Sequence, residues 1–237
     1  MKVFMDGASV EDMLHCYSSG VAQGFTTNPT LMRKDGVTDY VSFALNVLAV
    51  IKDVSVSFEV FADDIDDMEA EAREIASWGK NVYVKIPVSN TQGVSTLPLV
   101  KKLLAHGISI NITAILAQAD IEATIDLCKK SATPSIVSIF AGRIADAGID
   151  PVPVMKAAVE RANDAEHVEI LWASPREVFN LVQAEQVGCD IITCTPALIN
   201  KRKVIGKDLK QFSLETVKMF YDDALAAGYD IGVTVDK

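Results

Sequence analysis

Lys85 lies inside Val82-Tyr83-Val84-Lys85-Ile86-Pro87-Val88, an apolar β-type run that ordinarily excludes charge. Burial penalises an ammonium ion and drives its pKa down, so an amine enclosed there is available as a neutral nucleophile toward a ketone or aldehyde. The product is a Schiff base. In the competing reading, Lys85 points out from a half-exposed strand or snorkels its amine to the surface.

Imine chemistry moves protons twice, when the carbinolamine dehydrates and when the neighbouring carbon-carbon bond breaks. Of the three histidines, His15 and His106 fall in helical patterns and His167 precedes a strand, which leaves carboxylates as the shuttles. Asp6 and Glu59 are the candidates, because a buried carboxyl with a raised pKa exchanges protons near neutrality, directly or through water. Each also has a plainer reading: Asp6 as the cap of a helix beginning near Ser9, Glu59 on an edge strand with its carboxylate in water. Asn28 and Asn111 can orient a sugar hydroxyl or the imine intermediate, although Asn28-Pro29 is also an ordinary turn opener. Arg143 follows Ala141-Gly142, which reads as a flexible approach, and Arg176 follows Ser174-Pro175 at a helix start. With Ser174 they make a phosphate clamp, while each arginine alone also reads as a solvated salt-bridge partner. Asp146 reads as a support for Arg143 or as a surface carboxylate, and Lys201-Arg202-Lys203 as solvated surface.

Elements that could position these residues alternate along the chain. Apolar β-rich runs cover roughly Val3 to Met5, Ala22 to Thr26, Ser55 to Phe61, Asn81 to Ile86, Ser109 to Ile112, Ser135 to Phe140, Glu169 to Trp172 and Asp190 to Cys194. Helical patterns fill the gaps, roughly Asp39 to Ile51, Asp66 to Trp78, Leu97 to His106, Gln118 to Lys129, Val152 to Asn163, Pro175 to Val187 and Leu214 to Ala226. In the stripe Met68, Ala72, Ile75 and Ala76 the apolar face is explicit. Eight β-runs each followed by a helix, several apolar on both faces, predict a single-domain (β/α)₈ TIM barrel over residues 1–237. An open doubly wound sheet is the runner-up, but Asp6-Gly7-Ala8-Ser9 is not its glycine-rich phosphate turn. A barrel places chemistry at the C-terminal strand ends. Asp6, Thr27-Asn28, Glu59, Lys85, Asn111 with Thr113, Ser138 with Arg143, and Ser174 with Arg176 fall at or beside those ends on seven strands.

Composition narrows the partners. With 49% hydrophobic and 23% charged residues in a 237-residue chain, a large core is expected. A net charge of −10 disfavours nucleic acid and anionic membranes, yet two arginines can still hold a phosphorylated small molecule locally. Cys16, Cys128, Cys189 and Cys194 have neither C-x-x-C spacing nor framework density, so reduced thiols and a cytoplasmic location are expected. Neither an export signal nor an 18-residue uncharged apolar stretch is found. No metal-ligand cluster is apparent, and an iminium supplies its own electron sink, so neither metal nor cofactor is expected.

Six blocks in order resemble the small transaldolases and the related fructose-6-phosphate aldolases. They are Asp6 after the first strand, Thr26-Thr27-Asn28-Pro29-Thr30, Val84-Lys85-Ile86-Pro87, Asn111-Ile112-Thr113, Ser138-Ile139-Phe140-Ala141-Gly142-Arg143-Ile144 and Ala173-Ser174-Pro175-Arg176. The resemblance implies Lys85 as the Schiff-base residue, Asp6 as the acid/base for the C4 hydroxyl proton, and Glu59 acting through a water. It implies that Asn28, Asn111 and Thr113 hold intermediate and water, that Ser174, Arg143 and Arg176 contact phosphate, and that Thr27, Ser138 and Phe140 complete the substrate-binding set. The transferred unit is then dihydroxyacetone, in pentose phosphate metabolism. The aldolase branch has glutamine where this chain has Glu59 and tyrosine where it has Phe140, so transfer to an aldose is favoured over release of free dihydroxyacetone. A sugar-phosphate-binding barrel without chemistry is the non-enzyme alternative. Gly7 and Pro175 depart from the family pattern beside the acid/base and the clamp. Relatives of this short type form homo-oligomers, pentamers or decamers, using a C-terminal helix. Here residues 212–237 carry an apolar face of Phe212, Leu214, Val217, Phe220, Tyr221 and Leu225.

Overall fold

The computed structural model describes residues 1–232 and divides them into two compact units, Met1–Asn200 and the segment from Lys201 onward. The first unit is a closed barrel of eight parallel strands in sequential order: β1 (Lys2–Asp6), β2 (Gly24–Thr26), β3 (Ser55–Glu59), β4 (Val82–Pro87), β5 (Ile110–Ile115), β6 (Ser135–Ile139), β7 (Val168–Trp172) and β8 (Ile191–Cys194). The helices are α1 (Val10–Ser18), α2 (Pro29–Lys34), α3 (Tyr40–Val50), α4 (Ile65–Ser77), α5 (Leu97–Ala105), α6 (Gln118–Cys128), α7 (Ala141–Asp146), α8 (Pro151–Ala162), α9 (Phe179–Gln186), α10 (Pro196–Lys201) and α11 (Leu209–Ala227).

Local chemistry sets the helix starts. Ser9, Asp39, Asp64 and Asp150 each accept a backbone N–H from the first turn of α1, α3, α4 and α8, satisfying donors a helix leaves open. In α4, Met68, Ala72 and Ile75 are buried at helical spacing, with Ala76 packed at the edge of the core. Three short helices, α2, α7 and α10, escape the periodicity reading because six residues span too few turns to show a stripe. The expected helix from Pro175 begins only at Phe179, so Arg176 lies in the loop ahead of it. β5 runs to Ile115, past the expected Ile112, with a register shift against β6 between Ile112 and Ile115.

Side chains alternate between the two faces of each strand. The outward set packs under the helices in one large core, while Phe4, Ile136, Leu171, Ala173 and Ile191 form a second cluster with Tyr83 and Phe140 against it. Stepping two residues along from these positions gives Asp6, Lys85, Ser138 and Thr193. One inner face is thus apolar toward the N-terminal strand ends and polar toward the mouth. Gly24 makes room for this packing: a Cβ there would stand 2.4 Å from the Phe4 ring.

The second unit begins with a 3₁₀ turn at Arg202–Val204 and continues as α11, capped by Asp208 on Gln211 N–H and ended at Gly228 with φ 66°. Lys207 pairs with Glu215 and lies 4.6 Å from the Phe212 ring centroid. Lys201-Arg202-Lys203 is exposed, as expected. The helix is longer at its start than anticipated, and its apolar residues Phe212, Leu214, Val217, Phe220, Tyr221 and Leu225 are exposed. Positions 233–237 of the expected C-terminal tail lie outside the described residues.

Candidate functional site

At the C-terminal strand ends the barrel opens into a cavity of about 400 Å³. Lys85 reaches it from β4 and is 6% exposed, so the interior reading holds and the snorkelling one does not. Its Nζ donates to the Thr27 carbonyl at 2.8 Å and stands 2.9 Å from Glu59 Oε2. Strand register enforces this meeting, because Glu59 of β3 is directly paired with Lys85 of β4. Closure also leaves no edge strand on which Glu59 would meet water. The contact is one of charge: Oε2 is buried and makes no directed hydrogen bond. The Tyr40 hydroxyl donates to the Glu59 carbonyl at 3.0 Å and fixes the end of β3.

Asp6 does not cap α1, a task Ser9 performs. Instead Oδ1 accepts from Thr26 Oγ1 at 2.8 Å, and the Asn28 amide donates to Oδ2 at 3.2 Å. Burial pushes the Asp6 carboxyl above its ordinary value, against the lowering pull of Lys85 and of these two donors. Asn28 Oδ1 also caps α2 through Leu31 N–H at 2.9 Å, so the residue opens the turn at Pro29 as a helix cap while its amide holds Asp6. Thr26 and Thr193 share a 2.6 Å hydrogen bond, so β8 joins the site with Thr193 and Thr195. The sequence reading passed over this strand because threonines in an apolar run look like ordinary β-formers.

Thr27 and Asn111 do not line the cavity. Thr27 offers Lys85 its carbonyl and directs its hydroxyl to the Ser57 carbonyl. Asn111 lies beneath the floor, donating to Ser57 Oγ at 3.0 Å and accepting from Ser138 Oγ at 2.6 Å. It therefore orients Ser138, which does face the cavity. Thr113 lines the cavity with a buried Oγ1 that has no hydrogen-bond partner. That unpartnered buried hydroxyl, in the same cavity as Glu59 Oε2, which has only its ion pair with Lys85, marks polar capacity left for a ligand or water.

Phe140, Arg143, Ser174 and Arg176 form the remaining wall. Arg143 lies with its guanidinium carbon 5.8 Å from the Phe140 ring centroid. Gly142 is not the flexible approach expected of it. A Cβ there would come within 1.6 Å of the Ser174 carbonyl oxygen, so glycine is required for α7 to seat against that loop. Ser174 and Ala114, both at the cavity, hold φ near 60°, a strained region for residues with a side chain. Asp146 supports Arg176, not Arg143: Arg176 Nε donates to Asp146 Oδ1 at 3.2 Å and Nη2 to Oδ2. The backbone N–H groups of Arg176 and Glu177 are taken by Asn180 Oδ1, at 2.7 and 3.1 Å, and are not free for an anion.

His15, His106 and His167 lie away from this cavity, as expected; His106 Nδ1 and His167 Nε2 contact the carbonyls of Lys102 and Cys128. All four cysteines are buried and free of disulfides, and burial pushes the Cys128 and Cys189 thiols up to about 11 and about 12. Among the described residues, no group of three or more His, Cys, Asp or Glu side chains is placed to hold a metal ion, and no helix is long and apolar enough to cross a membrane.

Comparison with known proteins bears on the fold and the family. Among solved structures, a 3-hexulose-6-phosphate synthase superposes with a TM-score of 0.56 at 18% identity, covering 82% of this chain and 90% of that one, a likeness of fold alone. A probable transaldolase of Dehalococcoides mccartyi is 34% identical over 194 residues, 81% of this chain and 86% of that protein. One from Nitrosopumilus maritimus is 28% identical over 98% of this chain and all of its own. The family model described as Transaldolase/Fructose-6-phosphate aldolase matches residues 3–234. The chain therefore belongs to the transaldolase/fructose-6-phosphate aldolase family.

Proposed function

We propose that this protein is a Schiff-base transaldolase that moves a dihydroxyacetone unit from a ketose phosphate, fructose 6-phosphate or sedoheptulose 7-phosphate, to an aldose phosphate, erythrose 4-phosphate or glyceraldehyde 3-phosphate. The observation that carries it is the buried Lys85 amine, 2.9 Å from Glu59 Oε2, in the same cavity as Asp6. After passing a proton to Glu59, the amine attacks the C2 carbonyl, and loss of water gives an iminium that withdraws electrons from the C3–C4 bond. Thr113 Oγ1 and Glu59 Oε2 have the free capacity to hold that water.

Asp6 then takes the C4 hydroxyl proton as C3–C4 breaks. The aldose phosphate leaves and an enamine remains on Lys85. A carboxyl raised by burial but held by Thr26 and Asn28 suits a group that accepts this proton and later returns it to the new C4 oxygen. The acceptor aldose enters, the bond re-forms, and hydrolysis frees the lysine. Phe140 offers no hydroxyl to protonate the enamine, which favours transfer over release. A cytoplasmic location and a homo-oligomer belong to the same reading, and size-exclusion chromatography with light scattering tests the second.

Borohydride reduction in the presence of fructose 6-phosphate, followed by peptide mapping, tests the covalent step. The expected adduct is on Lys85. Labelling confined to another lysine, or none in folded protein, rejects the assignment. Turnover that needs an added aldose acceptor supports transfer, and equal turnover without one makes the protein an aldolase.

A further inference from the structure

The two arginines of the anion end stand in different company. Arg176 is paired at two points with Asp146, through Nε and Nη2, each side chain being about half exposed. That edge of a guanidinium is one of those best suited to two phosphate oxygens. Arg143 has no carboxylate partner among the described residues, only the face of Phe140. An aromatic face leaves a cation its charge and its donors.

The pairing is built in rather than incidental. The Arg176 backbone is fixed by the buried Asn180, whose own amide donates to Gln183. Its Nε lies 3.3 Å from the point where a Gly142 Cβ would stand, so the guanidinium is seated against α7. The same short helix carries both Arg143 and Asp146.

We propose that Asp146, which does not itself line the cavity, sets the anion affinity of this site by neutralising Arg176, leaving Arg143 to bear the uncompensated positive charge that meets the substrate phosphate. The proposal rests on the transfer reading above, in which this wall receives a sugar phosphate. An entering phosphate either shares the remaining N–H groups of Arg176 or draws it away from Asp146, and both routes lower affinity. Asp146 is a positioning residue whose charge limits how tightly phosphorylated substrates are held.

Calorimetric titration with inorganic phosphate reads the anion end without turnover. Asp146→Asn keeps the shape and removes the charge, and should tighten phosphate about three- to fivefold at low salt, a gain that shrinks as salt rises. Arg143→Gln should weaken binding by about tenfold or more, and Arg176→Gln by about twofold or less. The Asn substitution should add nothing in the Arg176→Gln background. Asp146→Ser serves as a second neutral variant should the first fail to fold, with melting curves reporting the fold of each. Unchanged or weaker binding in the folded Asp146 variants, or equal losses at the two arginines, overturns the proposal. Borohydride trapping on Lys85 in the same preparations reports the transfer reading separately. Trapping without tightening sinks the asymmetry alone, and tightening without trapping sinks the transfer reading alone.

Discussion

Gly142→Ala puts the smallest possible side chain at the contact between α7 and the loop after β7. The added Cβ would stand 1.6 Å from the Ser174 carbonyl oxygen and 2.7 Å from its carbonyl carbon. Ordinary contact begins near 3.4 Å, so α7 and the Ser174 backbone must separate by about 1.8 Å. Neither is the far end of a flexible side chain, and Ser174 is already held at φ 60°. Overpacking of this kind costs roughly 1–3 kcal/mol of stability, and a misplacement of about 1 Å at a substrate contact costs on the order of 100-fold in rate. The expectation is a kcat/KM for fructose 6-phosphate lowered about 100-fold, dominated by a rise in KM, because Ser174, Arg143 and Arg176 move while Lys85 and Glu59, on the opposite strands, do not. Borohydride trapping at saturating substrate should persist. Steady-state kinetics beside a thermal melt decides it: a variant within about threefold of the parent in kcat/KM shows that the α7 contact does not position the anion wall.

Thr113→Val removes a buried hydroxyl that has no partner, so thermal stability should hold or rise by about 1 kcal/mol while kcat falls; a clear loss of stability with kcat intact contradicts a ligand-directed role. Asn111→Ala strands Ser57 and Ser138 in the barrel and should cost about 2 kcal/mol or more in denaturant unfolding, and a cost below about 0.5 kcal/mol refutes that network. For Asp6, the folded-state pKa lies above the ordinary carboxyl value, so the folded protein binds more protons between the two values and stability from this group falls as pH rises through that window. Asp6→Asn should therefore melt higher than the parent at neutral pH, with the advantage fading toward pH 4, and be inactive; an advantage that grows on acidification has the wrong sign. Thr26→Val removes a donor that lowers the Asp6 pKa, so the limb of the pH-rate profile that reports Asp6 should move to higher pH, and a shift the other way removes Thr26 from that role.

Much of the barrel could be read before any coordinates because its signals are local. A strand buried on both faces must be apolar along its length, so the eight runs stood out, and a charge within one of them, Lys85, was conspicuous for the same reason. Short elements were less legible: Asn28 caps α2 through a single side-chain bond, and no periodic stripe announces six residues. Asp146 read as a support for Arg143 or as a surface carboxylate because only sequence proximity on α7 was visible, whereas its partner Arg176 lies 30 residues away in the chain.

The sequence by itself determined the eight strands and the longer helices, that an amine and two carboxylates lie at strand ends, and that two arginines stand near the same mouth. Tertiary structure alone decided the pairings. Closing the sheet sets β3 beside β4 in the register that places Glu59 on Lys85, joins Asp6 to Thr26 and through it to Thr193 of β8, and brings α7 so near the β7 loop that only glycine fits at 142. Strand periodicity repeats every two residues and is written in neighbouring side chains, whereas charge partnership falls off with distance in space, which only the closed barrel defines.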